Sequence, residues 1–95
     1  MRLRSSYELK FVKYMEANGI KFDYEPKRFD LGFCTYVPDF FTYDQYGKLE
    51  RVVEIKGWVK EKDLKKVSAL RDIMLKDGVE VVMYSAPELK KMGVI

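Results

Sequence analysis

Residues 36–43, Tyr36-Val37-Pro38-Asp39-Phe40-Phe41-Thr42-Tyr43, and residues 49–56, Leu49-Glu50-Arg51-Val52-Val53-Glu54-Ile55-Lys56, decide how this chain folds. The first run is rich in Tyr, Val, Phe and Thr, which favour strands. The second has a centre, Val52-Val53-Glu54-Ile55, that reads as buried, and Gly57 ends it. Tyr43-Asp44-Gln45-Tyr46-Gly47-Lys48 between them reads as a turn. Together they predict an antiparallel hairpin.

On the N-terminal side, Tyr7, Phe11, Val12 and Met15 recur at helical spacing after Ser5-Ser6, and Asn18-Gly19 supplies a stop. A helix over residues 6–18 follows. Residues 20–25 alternate apolar and polar, the pattern of a half-buried strand, and Pro26 closes it. On the C-terminal side, Leu64, Val67, Leu70, Met74 and Leu75 predict an amphipathic helix over 61–76, stopped by Asp77-Gly78. Residues 79–84 read as a last strand, and 87–92 as a helical turn behind Pro87. The order is α-β-β-β-α-β. A helix between the last two strands makes their pairing a parallel crossover, so the expectation is one small α/β domain over residues 1–95. Its sheet is four-stranded and mixed, with flanking helices.

The chain has 95 residues and a formal charge of +3, with a pI near 8.9. That balance is mildly basic and does not by itself mark a nucleic-acid binder. Charged residues make up 35% and hydrophobic ones 47%, a globular composition rather than a disordered one. No apolar run is long enough to cross a bilayer, and Met1-Arg2-Leu3-Arg4-Ser5-Ser6 lacks the apolar stretch of a signal peptide. No membrane association is expected, and the expected compartment is the cytoplasm. Cys34 is the single cysteine and there is no histidine. An internal disulfide, cysteine-held zinc, and Ser-His or Cys-His catalysis are therefore excluded. Chemistry has to come from carboxylates, Lys, Tyr, Ser or a metal held by oxygens.

The hairpin concentrates such groups. Glu54 and Lys56 are two apart on a strand, so they project from one face roughly 6.5–7 Å apart. If the two strands pair, Asp39 sits beside Glu54. Two close carboxylates both stay ionised only if a cation joins them. A hard ion such as Mg²⁺ fits, with Asp39 and Glu54 as side-chain ligands and the Ile55 carbonyl as a third oxygen. Such an ion would activate a water and neutralise a phosphodiester. Lys56 has three open roles: orienting the water, stabilising the phosphorane, or acting as base. The plainer alternative is an edge strand with an acid and a base facing solvent.

Glu8 carries two readings of equal standing. It shares a helical stripe with Val12 and Met15, which turns it inward as a further metal ligand. It is also placed three residues after Ser5 as a capping box requires. Asp23 and Glu25 are read as solvated strand acids, with a supporting role at the site as the alternative. Lys60, Lys62, Lys65 and Lys66 crowd the start of the second helix against its dipole, an arrangement that phosphate contact would explain and a solvated face would also permit. Arg4 joins them as a DNA contact, and Arg2, Lys27 and Arg28 are weaker ones. Trp58 is assigned to the core, with packing on a nucleotide as the alternative.

Pro38-Asp39 and Glu54-x-Lys56 within this element order resemble the PD-(D/E)XK nuclease superfamily. The resemblance is closest to the phage endonuclease I family of Holliday-junction-resolving enzymes. It is carried by Arg4-Ser5 with Glu8, Glu16, Gly19-Ile20-Lys21-Phe22, Tyr24-Glu25, Thr35-Tyr36, Pro38-Asp39-Phe40, Val53-Glu54, Lys56-Gly57 and Lys65-Lys66, over about residues 4–66. It implies a restriction-endonuclease-like core and a metal-dependent DNA endonuclease using Mg²⁺ or Mn²⁺. Asp39 and Glu54 would be metal ligands, Lys56 catalytic, and Glu8 the helical acid of the site. It further implies cleavage leaving a 5′-phosphate, an intertwined homodimer acting on branched DNA, and a phage-encoded protein working in a bacterial host. Two other readings remain. One is a nuclease for nicked, single-stranded or sequence-specific DNA, of the homing or transposition type. The other is a non-catalytic DNA-binding module.

Overall fold

The computed structural model describes residues 5–95. Arg2 and Arg4 lie outside the described residues. The elements run α1 (Ser6–Ala17), β1 (Lys21–Tyr24), β2 (Phe29–Asp30), β3 (Thr35–Tyr36), β4 (Phe40–Tyr43), β5 (Leu49–Ile55), α2 (Glu61–Met74), β6 (Glu80–Tyr84) and α3 (Ala86–Lys91). A single 3-10 turn, Leu75–Asp77, extends α2 to Gly78, whose φ of 67° is the left-handed stop.

Four strands form one mixed sheet in the order β1-β4-β5-β6. β4 is antiparallel to both β1 and β5, while β5 and β6 run parallel across the α2 crossover. β5 is the buried strand. Val52 packs toward α2, with Val67, Leu70, Met74 and Val81, and Val53 packs toward α1, with Phe11, Met15, Phe40 and Leu89. Helices cover both faces, so neighbouring valines are both fully buried and the strand reads as a continuous apolar run rather than an alternating one. Ser5 begins α1, its hydroxyl accepting the Glu8 N–H at 3.1 Å. Among the described residues no helix is long and apolar enough to cross a membrane.

Three expectations are corrected. The strand expected over 36–43 is broken at Val37-Pro38-Asp39, because Pro38 has no N–H for the ladder. Its first part, β3, pairs instead with β2 as a separate ribbon, Phe29 opposite Tyr36 and Asp30 opposite Thr35. The inward stripe of α2 begins at Asp63, not Leu64: Asp63, Val67, Leu70 and Met74 are buried, whereas Leu64 is 53% and Leu75 74% exposed. Trp58 is not in the core; it is 81% exposed on the loop between β5 and α2.

Candidate active site

The break at Pro38 leaves Asp39 at the joint between ribbon and sheet, immediately ahead of β4. Phe40 pairs with Val53, so the next step of the ladder sets Asp39 against Glu54. Their contacts are direct. The Asp39 N–H donates to Glu54 Oε1 at 3.3 Å, and the Ile55 N–H donates to Asp39 Oδ2 at 2.7 Å. Glu54 Oε1 also accepts the Tyr36 hydroxyl at 2.8 Å. In an extended strand the N–H and C=O of one residue share an edge, so the Ile55 carbonyl is on the side of Asp39.

Glu8 reaches the same place from α1. It is buried at 3% exposure, accepts the Tyr24 hydroxyl at 3.2 Å, and is in hydrogen-bond contact with the Asp39 carboxyl. Lys56 arrives from the end of β5, on the face of Glu54. Its ammonium lies 3.7 Å from Glu54 Oε2 and 3.5 Å from Asp63 Oδ1. Asp63 is held in turn by the Lys60 N–H, 3.0 Å from its Oδ2, at the start of α2.

Electrostatics follow from this crowding. Burial, with the charges of Glu54 and Glu8 behind it, pushes the Asp39 carboxyl up to about 8, against the Ile55 N–H that pulls it down. Burial and Glu54 push the Tyr36 hydroxyl above its ordinary range, so it remains a donor. Burial works on Asp63 in the same upward sense, yet the Lys60 N–H and the Lys56 ammonium outweigh it and hold Asp63 below the usual carboxylate range.

Two openings meet here, with Glu54 and Lys56 lining both. One, of about 480 Å³, is bordered by Glu25, Tyr36, Asp63 and Lys66. The other, of about 270 Å³, is bordered by Ser5, Glu8, Asp39 and Ile55. No family model matches this chain, and no curated protein matches it significantly.

Asp39, Glu54, Lys56, Glu8 and Ile55 are thus brought together. Lys66 is half-buried and joins the larger opening, whereas Lys60, Lys62 and Lys65 stand exposed along the start of α2. Glu25 borders that opening with a left-handed φ of 47°; Asp23 does not, and accepts the Tyr43 hydroxyl at 2.6 Å. Sequence reasoning missed Tyr24, Tyr36 and Asp63. Tyr24 and Tyr36 fall within the motifs that carry the resemblance, without a site role there, and Asp63 left one signal, its four-residue spacing from Val67. Among the described residues no three acidic groups stand as a ready cage for an ion. The donor chemistry nevertheless suits a hard cation: all the groups are oxygens, and burial beside Glu54 and Glu8 raises the Asp39 carboxyl.

Proposed function

We propose that this chain is a metal-dependent DNA endonuclease of the PD-(D/E)XK type, hydrolysing phosphodiester bonds in branched DNA as a homodimer. The observation that carries the proposal is the meeting of Asp39, Glu54 and Glu8 from three separate elements, with the Lys56 ammonium against Glu54. A purely structural role gives no reason to bury three acids in contact, since each costs solvation that the others do not return. The mixed sheet flanked by helices is compatible with a restriction-endonuclease-like core.

Asp39, Glu54, Glu8 and the Ile55 carbonyl would hold Mg²⁺ or Mn²⁺, which when bound supplies an activated water and neutralises phosphate charge. The chain's own groups do the rest. Tyr36 and the Asp39 N–H fix one Glu54 oxygen, and Tyr24 fixes Glu8. Lys56, stretched between Glu54 and Asp63, stands where an entering phosphate oxygen would replace a carboxylate. Lys66 borders the same opening and offers a second phosphate contact. A dimer suits a four-way junction, because two symmetry-related strands must be cut.

The test is incubation with Mg²⁺ or Mn²⁺ and three labelled DNAs: a four-way junction, a linear duplex and a single strand. Cutting of the junction ahead of the others is expected, and Glu54→Ala should abolish it while DNA binding persists. Binding without cutting of any DNA would turn the proposal into a binding module. Equal cutting of all three would remove the preference for branches.

A further inference from the structure

Trp58 is the chain's single tryptophan, and it is 81% exposed. An indole carries more apolar surface than other side chains, and folded proteins cover most of it. Fraying does not account for its exposure, because the loop is fastened on both sides. Before it, Gly57 lies under the Tyr7 ring so closely that a side-chain carbon there would come within 3.0 Å of Tyr7 Cε2. After it, the Lys60 N–H donates to Asp63 Oδ2 and the Asp63 N–H donates to the Lys60 carbonyl. The anchored backbone presents Trp58 outward, and Val59 beside it is 37% exposed.

The surroundings narrow the occupant. Lys56 precedes Trp58 by two residues, and exposed Lys60 and Lys62 follow it. An exposed aromatic face in a stretch where Lys56, Lys60 and Lys62 outnumber Glu61 suits a nucleobase flanked by phosphates. An apolar protein partner would meet three charges it has no use for. Within duplex DNA each base face is covered by its neighbours. Ends, nicks, branch points and single strands leave one open.

Resting on the nuclease reading above, we infer that Trp58 is a stacking platform for an unpaired nucleobase beside Lys56, so that the chain selects DNA with splayed or single-stranded bases. Stacking on an aromatic platform tolerates every base, because each has a π-face, so the selection is for structure rather than sequence.

A lone tryptophan reports on its own contact. In EDTA, Trp58 emission is followed as a single-stranded oligonucleotide, a four-way junction or a covalently closed duplex circle is added, with anisotropy of the labelled DNA measured in parallel. Single strand and junction should quench the emission saturably, with the midpoint seen by anisotropy, and the closed circle should bind with little quenching. Trp58→Ala should weaken single-strand binding about tenfold to a hundredfold, and Trp58→Phe only a few-fold. Binding without quenching, equal quenching by the closed circle, or wild-type affinity in Trp58→Ala would each overturn the inference. Self-quenching that grows with protein concentration and ignores DNA would overturn it in favour of a second copy as the occupant. Quenching with no Mg²⁺-dependent cleavage of any DNA would keep the stacking site and remove the nuclease reading. Cleavage without quenching would do the reverse, and no DNA binding at all would remove both.

Discussion

Replacing Asp39 with Asn should make the metal-free protein more stable and the nuclease inactive. The Asp39 carboxyl is raised from 3.8 to about 8, so the folded chain holds that proton more tightly than the unfolded chain does. Wild-type stability must then fall as pH climbs from about 4 to about 8 and level off above that. At pH 7 to 8 the shift alone corresponds to a loss of about 4–5 kcal/mol, and on the order of 3 kcal/mol remains once solvent screening at a site open to two cavities is discounted. Asn removes it. Its carbonyl still accepts the Ile55 N–H, bonded to Asp39 at 2.7 Å, and its amide can donate to Glu8 or Glu54 where a carboxylate only repels. At roughly 4–8 °C per kcal/mol for a domain of this size, Asp39→Asn should melt about 10–20 °C above wild type at pH 8 and close to it at pH 4. Thermal and urea unfolding in EDTA, followed by far-UV circular dichroism, measures this directly. Trp58 fluorescence would be a poor probe, because the indole is already 81% exposed in the folded state. A variant less stable than wild type at pH 8, or a difference that ignores pH, would refute the claim that neighbouring acids strain this site.

Saturating Mg²⁺ or Mn²⁺ should recover stability in wild type at pH 8 and do little at pH 5, where Asp39 is protonated; calorimetric melting with and without metal checks it. Tyr36→Phe removes the hydroxyl that donates to Glu54 at 2.8 Å and should cost about 1–3 kcal/mol of stability, read from urea midpoints, with a larger loss in kcat than in KM. Lys66→Ala should weaken DNA binding evenly across DNA structures and flatten the dependence of log affinity on log salt by about one, by anisotropy at several salt concentrations.

Much of the scaffold was legible because its signals are local. Helical spacing with caps marks α1 and α2, and Val52-Val53 marks a strand covered on both faces. The β2–β3 ribbon was not, since two-residue strands carry no period to read. Asp63 hid behind a plausible local role, as an acid in the first turn of a helix. What turns it inward is Lys56, a residue on another element. Trp58 was misplaced for a similar reason. Composition argues for burial, while the fastening of Gly57 under Tyr7 and of Lys60 on Asp63 holds it out.

The meeting of Asp39 with Glu54 depends on a feature with no sequence signature of its own. Near the turn, Tyr43 pairs with Leu49, but Thr42 pairs with Arg51, so a bulge leaves Glu50 with no residue opposite it. Carried inward without that bulge, the register of Tyr43 and Leu49 would set Asp39 against Val53 and Glu54 against Pro38. A one-residue slip moves every side chain to the other face. The two acids would then part, and Phe40 would lose its place opposite Val53 in the α1-side core. Packing resists that slip, because Val52 and Val53 are both fully buried and neither face of β5 accepts Glu54 in exchange for a valine. The same apolar residues that make the strand legible therefore hold the register that brings the acids together. The bulge is where the chain absorbs the residue that this register leaves over.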